Sequence, residues 1–297
     1  MRNHKSQKPQ IWTVLDALQW TAGFFLSRDI DSPRLTAELL LAEVMGVGRI
    51  DLYIRHDQPL TEAELASYRK MIRRRVRREP VAYILKSTEF WGLPFSVTPD
   101  VLIPRPETEH LVEAALARLP LETAGSKKII DLGTGSGAVV VSLAKERPGH
   151  IYFAVDRSYP ALRVAAKNAE ENNVFEQICF FAGNWLEAVD SGKAGFDIIL
   201  SNPPYIPSDD IEALQPEISE YEPRTALDGA KDGLEAIRLI VGQAPEYLVQ
   251  GGFLLMEIGY DQKSAIEEFC RKQGCFRDIE FVKDYGGHYR VAILQKR

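Results

Sequence analysis

Apolar positions change their spacing twice along the chain, and those changes mark out its parts. From Ile11 to Leu26 they recur at three- and four-residue steps, through Val14, Leu15, Leu18, Ala22 and Phe25, which is the period of an amphipathic helix. Ser32 as cap and Pro33 at the first helical position open a second helix. Its stripe of Leu35, Leu39, Leu40 and Val44 runs to the breakers Gly46 and Gly48. Thr61 and Glu64 form a capping box for a long helix with Leu65, Tyr68, Ile72 and Val76 inward. Arg69, Lys70, Arg73, Arg74, Arg77 and Arg78 lie largely on its other face. Residues 1–86 are therefore expected to form a small helical bundle.

From Glu89 to Pro106 the pattern turns aromatic and β-branched. Gly92-Leu93-Pro94, between Phe90-Trp91 and Phe95-Ser96-Val97, predicts a hairpin with a short turn, and residues 87–106 are expected to act as a connector. A helix near Glu107 to Leu119 leads into an alternation of strands and helices over 107–297. Strands are expected near Lys128–Leu132, Ile151–Asp156, Ile178–Phe181, Phe196–Ser201 and Gly252–Ile258. That rhythm predicts an α/β fold with a mostly parallel sheet covered on both faces, its ligand held by loops at the carboxyl ends of the strands. Arg277–Lys283 and Tyr289–Gln295, joined by a Gly-Gly turn, predict an antiparallel pair that finishes the sheet. No internal repeat or low-complexity tract interrupts the pattern.

Composition narrows the class. With 45% hydrophobic and 26% charged residues in 297, a disordered or collagen-like chain is excluded and two domains fit the length. The net charge of −6 hides an asymmetry: residues 1–86 carry 15 Lys and Arg against 10 Asp and Glu, and the remainder 21 against 32. A general binder of phosphate backbones is thereby disfavoured. Cys179, Cys270 and Cys275 have no metal-ligand spacing and cannot all pair, so neither a zinc site nor a disulfide framework is expected. Residues 1–10 lack the apolar core of a secretory signal and no window approaches a membrane span, which predicts a cytoplasmic protein without a membrane partner.

The first predicted strand of the α/β part ends in Asp131-Leu132-Gly133-Thr134-Gly135-Ser136-Gly137. Three glycines allow backbone to approach a cofactor where any Cβ would collide. The spacing is GxGxG, not the GxGxxG that seats a pyrophosphate, so S-adenosylmethionine suits it better than a dinucleotide. The competing reading is a glycine-rich turn that holds nothing. Asp156 closes the second strand, where a carboxylate can accept from both ribose hydroxyls; it could instead cap the helix that begins near Pro160. Trp185, after the third strand, either stacks on an adenine ring or serves the core.

Asn202-Pro203-Pro204-Tyr205 after the fourth strand is the most informative segment. An amide or aromatic amine nitrogen is a poor nucleophile because its lone pair is delocalised, so an enzyme must hold it with that lone pair aimed at the methyl group. The Asn202 side-chain oxygen and the Pro203 carbonyl can accept both N–H bonds of a planar NH₂ group, with Pro204 and Tyr205 as loop restraint and apolar wall. Charge developing on nitrogen would strengthen both bonds in the transition state, and no general base is needed.

The chain resembles the class I S-adenosylmethionine methyltransferases, and within them the peptide chain release factor glutamine N(5)-methyltransferases. The likeness rests on Glu79 to Leu85, Glu89 to Phe95, Leu102-Ile103-Pro104-Arg105-Pro106-Glu107-Thr108-Glu109 and the whole catalytic part. It implies a Rossmann-like sheet behind an N-terminal substrate-recognition domain. It also implies cofactor contacts by Gly133 through Gly137, Asp156, Trp185 and Asn202, with Asn202, Pro203, Pro204 and Tyr205 receiving the substrate glutamine. The implied substrate is the Gly-Gly-Gln glutamine of release factors and the implied product S-adenosylhomocysteine. Cysteine spacing and charge predict no metal and no stable nucleic-acid partner, and a monomer is the default expectation. Ile103 to Glu109 separates these enzymes from nucleic-acid amino-methyltransferases, which share the Asn-Pro-Pro-Tyr type of motif. The relatives acting on a large-subunit ribosomal protein share more of it and differ mainly in the N-terminal half. Lys86 stands where the family often has glycine.

Three features have two readings each. The basic run Arg69 to Arg78 is either a solvated face or a dock for an acidic partner. Glu107 and Thr108 either shape the cofactor entrance or start the next helix, and Tyr221-Glu222-Pro223-Arg224 either closes over substrate or is a surface turn. None of the five histidines has a partner at catalytic spacing.

Overall fold

A computed structural model of the chain describes residues 11–119, 125–192 and 195–297, and the expectation for residues 1–10 lies outside them. The chain divides between Leu85 and Lys86 into two compact units.

The first unit holds α1 (Val14–Leu26), α2 (Pro33–Met45), α3 (Arg49–Ile54), α4 (Glu62–Val76) and α5 (Val81–Leu85). Thr13 and Asp16 form a reciprocal capping box, which starts α1 at Val14 and leaves Ile11 off the stripe, 72% exposed. Ser32 takes a left-handed φ of 46° and makes no side-chain capping bond, so Pro33 alone marks the start of α2. The buried face of α2 is Thr36, Ala37, Leu40 and Leu41, one position out of phase with the expected stripe, and Leu35 is exposed. Thr61 and Glu64 cap α4 as expected. Val14, Leu18, Phe25, Leu40, Leu52, Tyr68 and Ile72 fill the core. The basic run is partly internal: Arg74 pairs with Glu79 at 2.5 Å, Arg75 is buried, and Arg78 donates to the Asp29 carbonyl at 2.8 Å. Arg69, Lys70 and Arg73 remain on the exposed face.

The second unit opens with a hairpin of β1 (Ser87–Phe90) and β2 (Leu93–Ser96). Its turn is Trp91-Gly92, not Gly92-Leu93-Pro94. Both turn residues have positive φ (54° and 66°), the two-residue geometry that matches the twist of paired strands. Lys86 has φ 61°, a left-handed conformation that glycine would adopt without strain. After α6 (Glu109–Leu116) come β3 (Lys128–Leu132), α7 (Ala138–Glu146), β4 (Ile151–Asp156), α8 (Tyr159–Glu171), β5 (Ile178–Ala182) and β6 (Phe196–Ser201). The long excursion after β6 contains the short turns α9 (Pro216–Ser219) and α10 (Arg224–Leu227). Next follow α11 (Glu235–Tyr247), β7 (Leu248–Glu257), α12 (Lys263–Gln273), β8 (Phe276–Lys283) and β9 (Tyr289–Lys296).

The sheet runs β5-β4-β3-β6-β7-β9-β8; the first five strands are parallel, and β9 is antiparallel to both its neighbours. Ile129, Ile198 and Leu255 pack beneath α6 and α7, and Ile130, Ile199 and Leu254 beneath α11 and α12. Burial on both faces is why these strands read as continuous apolar runs. β3 pairs with β4 on one side and β6 on the other, so strand order reverses there and a crevice opens beyond the carboxyl ends of β3 and β6. Among the described residues no helix is long and apolar enough to cross a membrane.

Candidate active site

The loop from β3 to α7 lies over the end of β4. Gly133 and Thr134 donate backbone N–H bonds to the Val155 carbonyl at 2.9 and 3.0 Å. Gly133, Gly135 and Gly137 have φ of 71°, 54° and 80°, a region that side chains disfavour. A Cβ on Gly133 would lie 3.2 Å from the Trp185 ring, and one on Gly137 3.1 Å from Ala165 of α8. The glycines thus permit both the turn and the close approach of its neighbours.

Asp156 accepts from the Gly135 N–H at 2.9 Å and from the Ser158 N–H at 2.8 Å. Ser158, not Asp156, is the N-cap of α8. The carboxylate therefore ties the glycine loop to the end of β4 and still has lone pairs to offer. Trp185 lines the crevice while it packs on the core beneath α11.

A cavity of about 400 Å³ occupies the crevice, within the range of small-molecule sites. Of the residues singled out by sequence, Gly133, Thr134, Gly135, Ser136, Asp156, Trp185, Asn202 and Pro204 line it; Gly137, Pro203 and Tyr205 do not. Thr108 and Asp131 line it as well. The Asp131 carboxyl accepts from the Thr134 hydroxyl at 2.7 Å, and among the described residues no Lys or Arg pairs with it. Burial pushes it up to about 7, and the nearby Asp156 charge adds to the rise. A buried acid that faces a cavity without a counter-cation suits a cationic ligand.

Asn202 donates from Nδ2 to Thr108 Oγ1 at 3.2 Å, and Thr108 donates to Glu257 Oε2 at 2.6 Å. The Tyr205 hydroxyl donates to Glu257 Oε1 at 3.1 Å. Burial raises the Glu257 carboxyl, against the pull of these two hydrogen bonds and of Arg290. Among the described residues no donor reaches Asn202 Oδ1 or the Pro203 carbonyl, so these two acceptors are uncommitted. Thr108 sits at the start of α6 yet makes no capping bond, which removes the simpler of its two readings.

The Asn-Pro-Pro-Tyr loop is held from behind. Gln262 donates from Nε2 to the Tyr205 and Gly233 carbonyls, both at 3.0 Å, and accepts from the Gly259 N–H at 2.9 Å, so its buried amide is satisfied. Gly233 has φ 72°, and a Cβ there would lie 2.3 Å from the Tyr205 carbonyl oxygen. Gly233→Ala is expected to destabilise the fold by about 2–3 kcal/mol and to cut turnover at least ~10-fold by displacing this loop. Thermal melts beside initial rates check it, and wild-type values for both would show that the loop does not depend on this contact.

Tyr221 to Arg224 is no ordinary surface turn. Glu222 is buried, accepts from Arg105 at 2.5 Å and from the Ile103 N–H at 3.4 Å, and so clamps the excursion after β6 to the segment before α6. Burial raises its carboxyl while Arg105 holds it down. Asp131, Glu257 and Gln262 were given no role by sequence reasoning, and Glu222 none as a clamp. A usable signal existed for Asp131 and Glu257, since each is an acid at or next to the carboxyl end of a largely apolar strand. The described residues contain no cluster of three metal-ligating side chains, and the three cysteines are free.

Two family models match the chain: the PrmC N-terminal domain over residues 16–85 and the methyltransferase small domain over residues 112–216. A release factor glutamine methyltransferase of Geobacter sulfurreducens is 44% identical over 287 residues, 97% of this chain and 98% of that protein. The chain belongs to the release factor glutamine methyltransferase family. The family's member in Chlorobaculum tepidum is 41% identical over 93% of this chain and 95% of its own length. Among solved structures, the hMettl16 catalytic domain aligns with a TM-score of 0.56 and 20% identity, over 73% of this chain and 81% of that one. That likeness carries the fold alone, and it agrees with the class I methyltransferase sheet expected from the sequence.

Proposed function

We propose that this protein transfers a methyl group from S-adenosylmethionine to the side-chain amide nitrogen of a glutamine, the one in the Gly-Gly-Gln motif of peptide chain release factors. The observation that carries the chemistry is the Asn202 amide, which commits its NH₂ end to Thr108 and keeps its oxygen free at the edge of the cavity. The substrate follows from the family, whose named members match over nearly their full length.

S-adenosylmethionine, when bound, supplies a methyl group on a positively charged sulfur and leaves as S-adenosylhomocysteine. Gly133 to Ser136 would give it a backbone cradle, Asp156 would accept from its ribose, Trp185 would flank its adenine, and the Asp131 carboxylate would meet its ammonium group. Asn202 Oδ1 and the Pro203 carbonyl accept the two N–H bonds of the glutamine amide and turn its nitrogen lone pair toward the methyl. Both bonds strengthen as nitrogen becomes positive, so they stabilise the transition state more than the ground state. The proton then leaves an acidic N-methylated amide without a dedicated base. Pro204 and Tyr205 restrain the loop, with Tyr205 anchored to Glu257.

A protein substrate fits the charge, because residues 87–297 carry 32 Asp and Glu against 21 Lys and Arg and offer no general basic face to nucleic acid. The testing experiment is transfer of labelled methyl to an unmodified release factor, with mass spectrometry to place the added mass and with ribosomal proteins and naked nucleic acids alongside. Label on the Gly-Gly-Gln glutamine is the expected result. Label on nucleic acid or a ribosomal protein alone would overturn the substrate and retain the methyl transfer.

A further inference from the structure

We propose that Thr108 is a positioning residue for the methyl transfer: it fixes which end of the Asn202 amide faces the substrate, under the direction of the buried Glu257 carboxylate. The inference rests on the acceptor role of Asn202 given above.

The two ends of an asparagine amide are nearly the same size, so packing alone does not choose between them. An Asn202 flipped by 180° would present NH₂ to the NH₂ of the substrate, two donors face to face. Hydrogen-bond polarity makes the choice here. Glu257 is 1% exposed, and as a carboxylate it only accepts. Thr108 has one hydroxyl proton, and that proton is committed to Glu257 Oε2 at 2.6 Å. Toward Asn202 the same oxygen can then only accept, and Nδ2 is the group that meets it, at 3.2 Å. Oδ1 is left for the cavity.

Burial raises the Glu257 carboxyl, and the two hydroxyls that converge on it support the ionised, accepting form against that burial. Tyr205 donates to its second oxygen, and the positive charge of Arg290 on β9, itself paired with Asp284 at 3.1 Å, favours the ionised form. Glu107, beside Thr108 in sequence, acts in the same direction as burial. Thr108 itself is buried and makes no helix-capping bond, so its hydroxyl serves this relay and not the start of α6.

The test compares Thr108→Val, which keeps shape and removes the hydroxyl, with Thr108→Ser, which restores it, and compares Asn202→Ala alone with Thr108→Val combined with Asn202→Ala. Turnover on unmodified release factor and the Kd for S-adenosylmethionine are measured for all four variants beside wild type, the weak ones by single-turnover label transfer. Thr108→Val is expected to lower kcat by about 30- to 100-fold with KM for release factor and cofactor Kd within about threefold of wild type. Thr108→Ser should recover at least about a third of wild-type kcat. In the Asn202→Ala background Thr108→Val should cost less than about twofold, because the group it orients is gone. Near-normal kcat in Thr108→Val, no recovery in Thr108→Ser, or an equal loss in both backgrounds would each overturn the relay. Wild type without activity on the glutamine would overturn the acceptor reading and the relay with it, an outcome distinct from those three.

Discussion

Asn202→Ala is expected to lower kcat by about 10³-fold while the affinity for S-adenosylmethionine falls by less than about tenfold. The asymmetry follows from where Asn202 stands. It lines the cavity beside the glycine loop, but the proposed cradle of Gly133 to Ser136, Asp156 and Trp185, which line the same cavity, is left in place by the substitution. What is lost is the acceptor that strengthens as the substrate nitrogen acquires positive charge. Removal of one oriented transition-state hydrogen-bonding group typically costs about 10²–10³ in kcat. The substitution also takes away the donor that reaches Thr108 Oγ1 at 3.2 Å and leaves a buried hydroxyl without that partner. Stability should therefore fall by only about 1 kcal/mol, too little to explain the kinetic loss as unfolding. Steady-state turnover on release factor together with calorimetric titration of the cofactor separates the two quantities. Full turnover in the variant would show that Asn202 does not hold the substrate amide.

The parts of the fold that were legible share one property, a signal carried by neighbouring residues. Ile129, Ile130 and Leu132 read as a strand because both faces of β3 are buried, and the capping box of Thr61 and Glu64 marked the start of α4. The errors arose where two local signals competed. Leu35 looked like part of the α2 stripe because Leu39 follows it by four positions, yet helix phase buries Thr36, Ala37 and Glu38 beside it. Glu38 is an acid at a core position, legible only once Arg34, Arg49 and Tyr53 are seen to meet its carboxylate. At the hairpin, the proline of Gly92-Leu93-Pro94 suggested a turn, whereas a left-handed pair at Trp91 and Gly92 makes it and Pro94 falls within β2.

The same division runs through the site. Gly133 to Gly137 and Asn202 to Tyr205 are contiguous motifs whose chemistry can be argued from the residues alone. Thr108 and Glu257 are 149 positions apart and join only because α6 begins where β7 ends, at one crevice. No periodicity encodes that meeting. Glu222 and Arg105 are 117 positions apart and join for a similar reason, which is why Tyr221 to Arg224 had the look of an ordinary turn.

Asp131→Asn is expected to have opposite effects on cofactor binding and on stability. In the folded protein burial lifts the Asp131 carboxyl from 3.8 to about 7, with the Asp156 charge adding to the rise and the Thr134 hydroxyl pulling the other way. A raised acid gives the folded state more bound protons than the unfolded state between these two values, so stability falls as pH rises through that window. The penalty is absent below about pH 4, grows between 4 and 7, and is complete above 7, where it reaches at most about 4 kcal/mol. Asparagine cannot ionise, and its oxygen can still accept the Thr134 hydroxyl. The variant should therefore melt higher than wild type at pH 8, by roughly 5–10 °C, with the difference shrinking toward pH 4. Binding should move the other way. If the cofactor's ammonium group meets this carboxylate, loss of a buried opposite charge weakens the affinity about 100-fold at pH 8. In wild type, the same pairing releases a proton from Asp131 on binding, so affinity rises with pH until the free carboxyl is ionised. Melting curves and titration calorimetry at pH 5 and pH 8, in two buffers of different ionisation enthalpy, read all of these at once. Unchanged affinity in Asp131→Asn would remove Asp131 from the cofactor site, and an equal melting shift at both pH values would show that its charge is not what the fold resists.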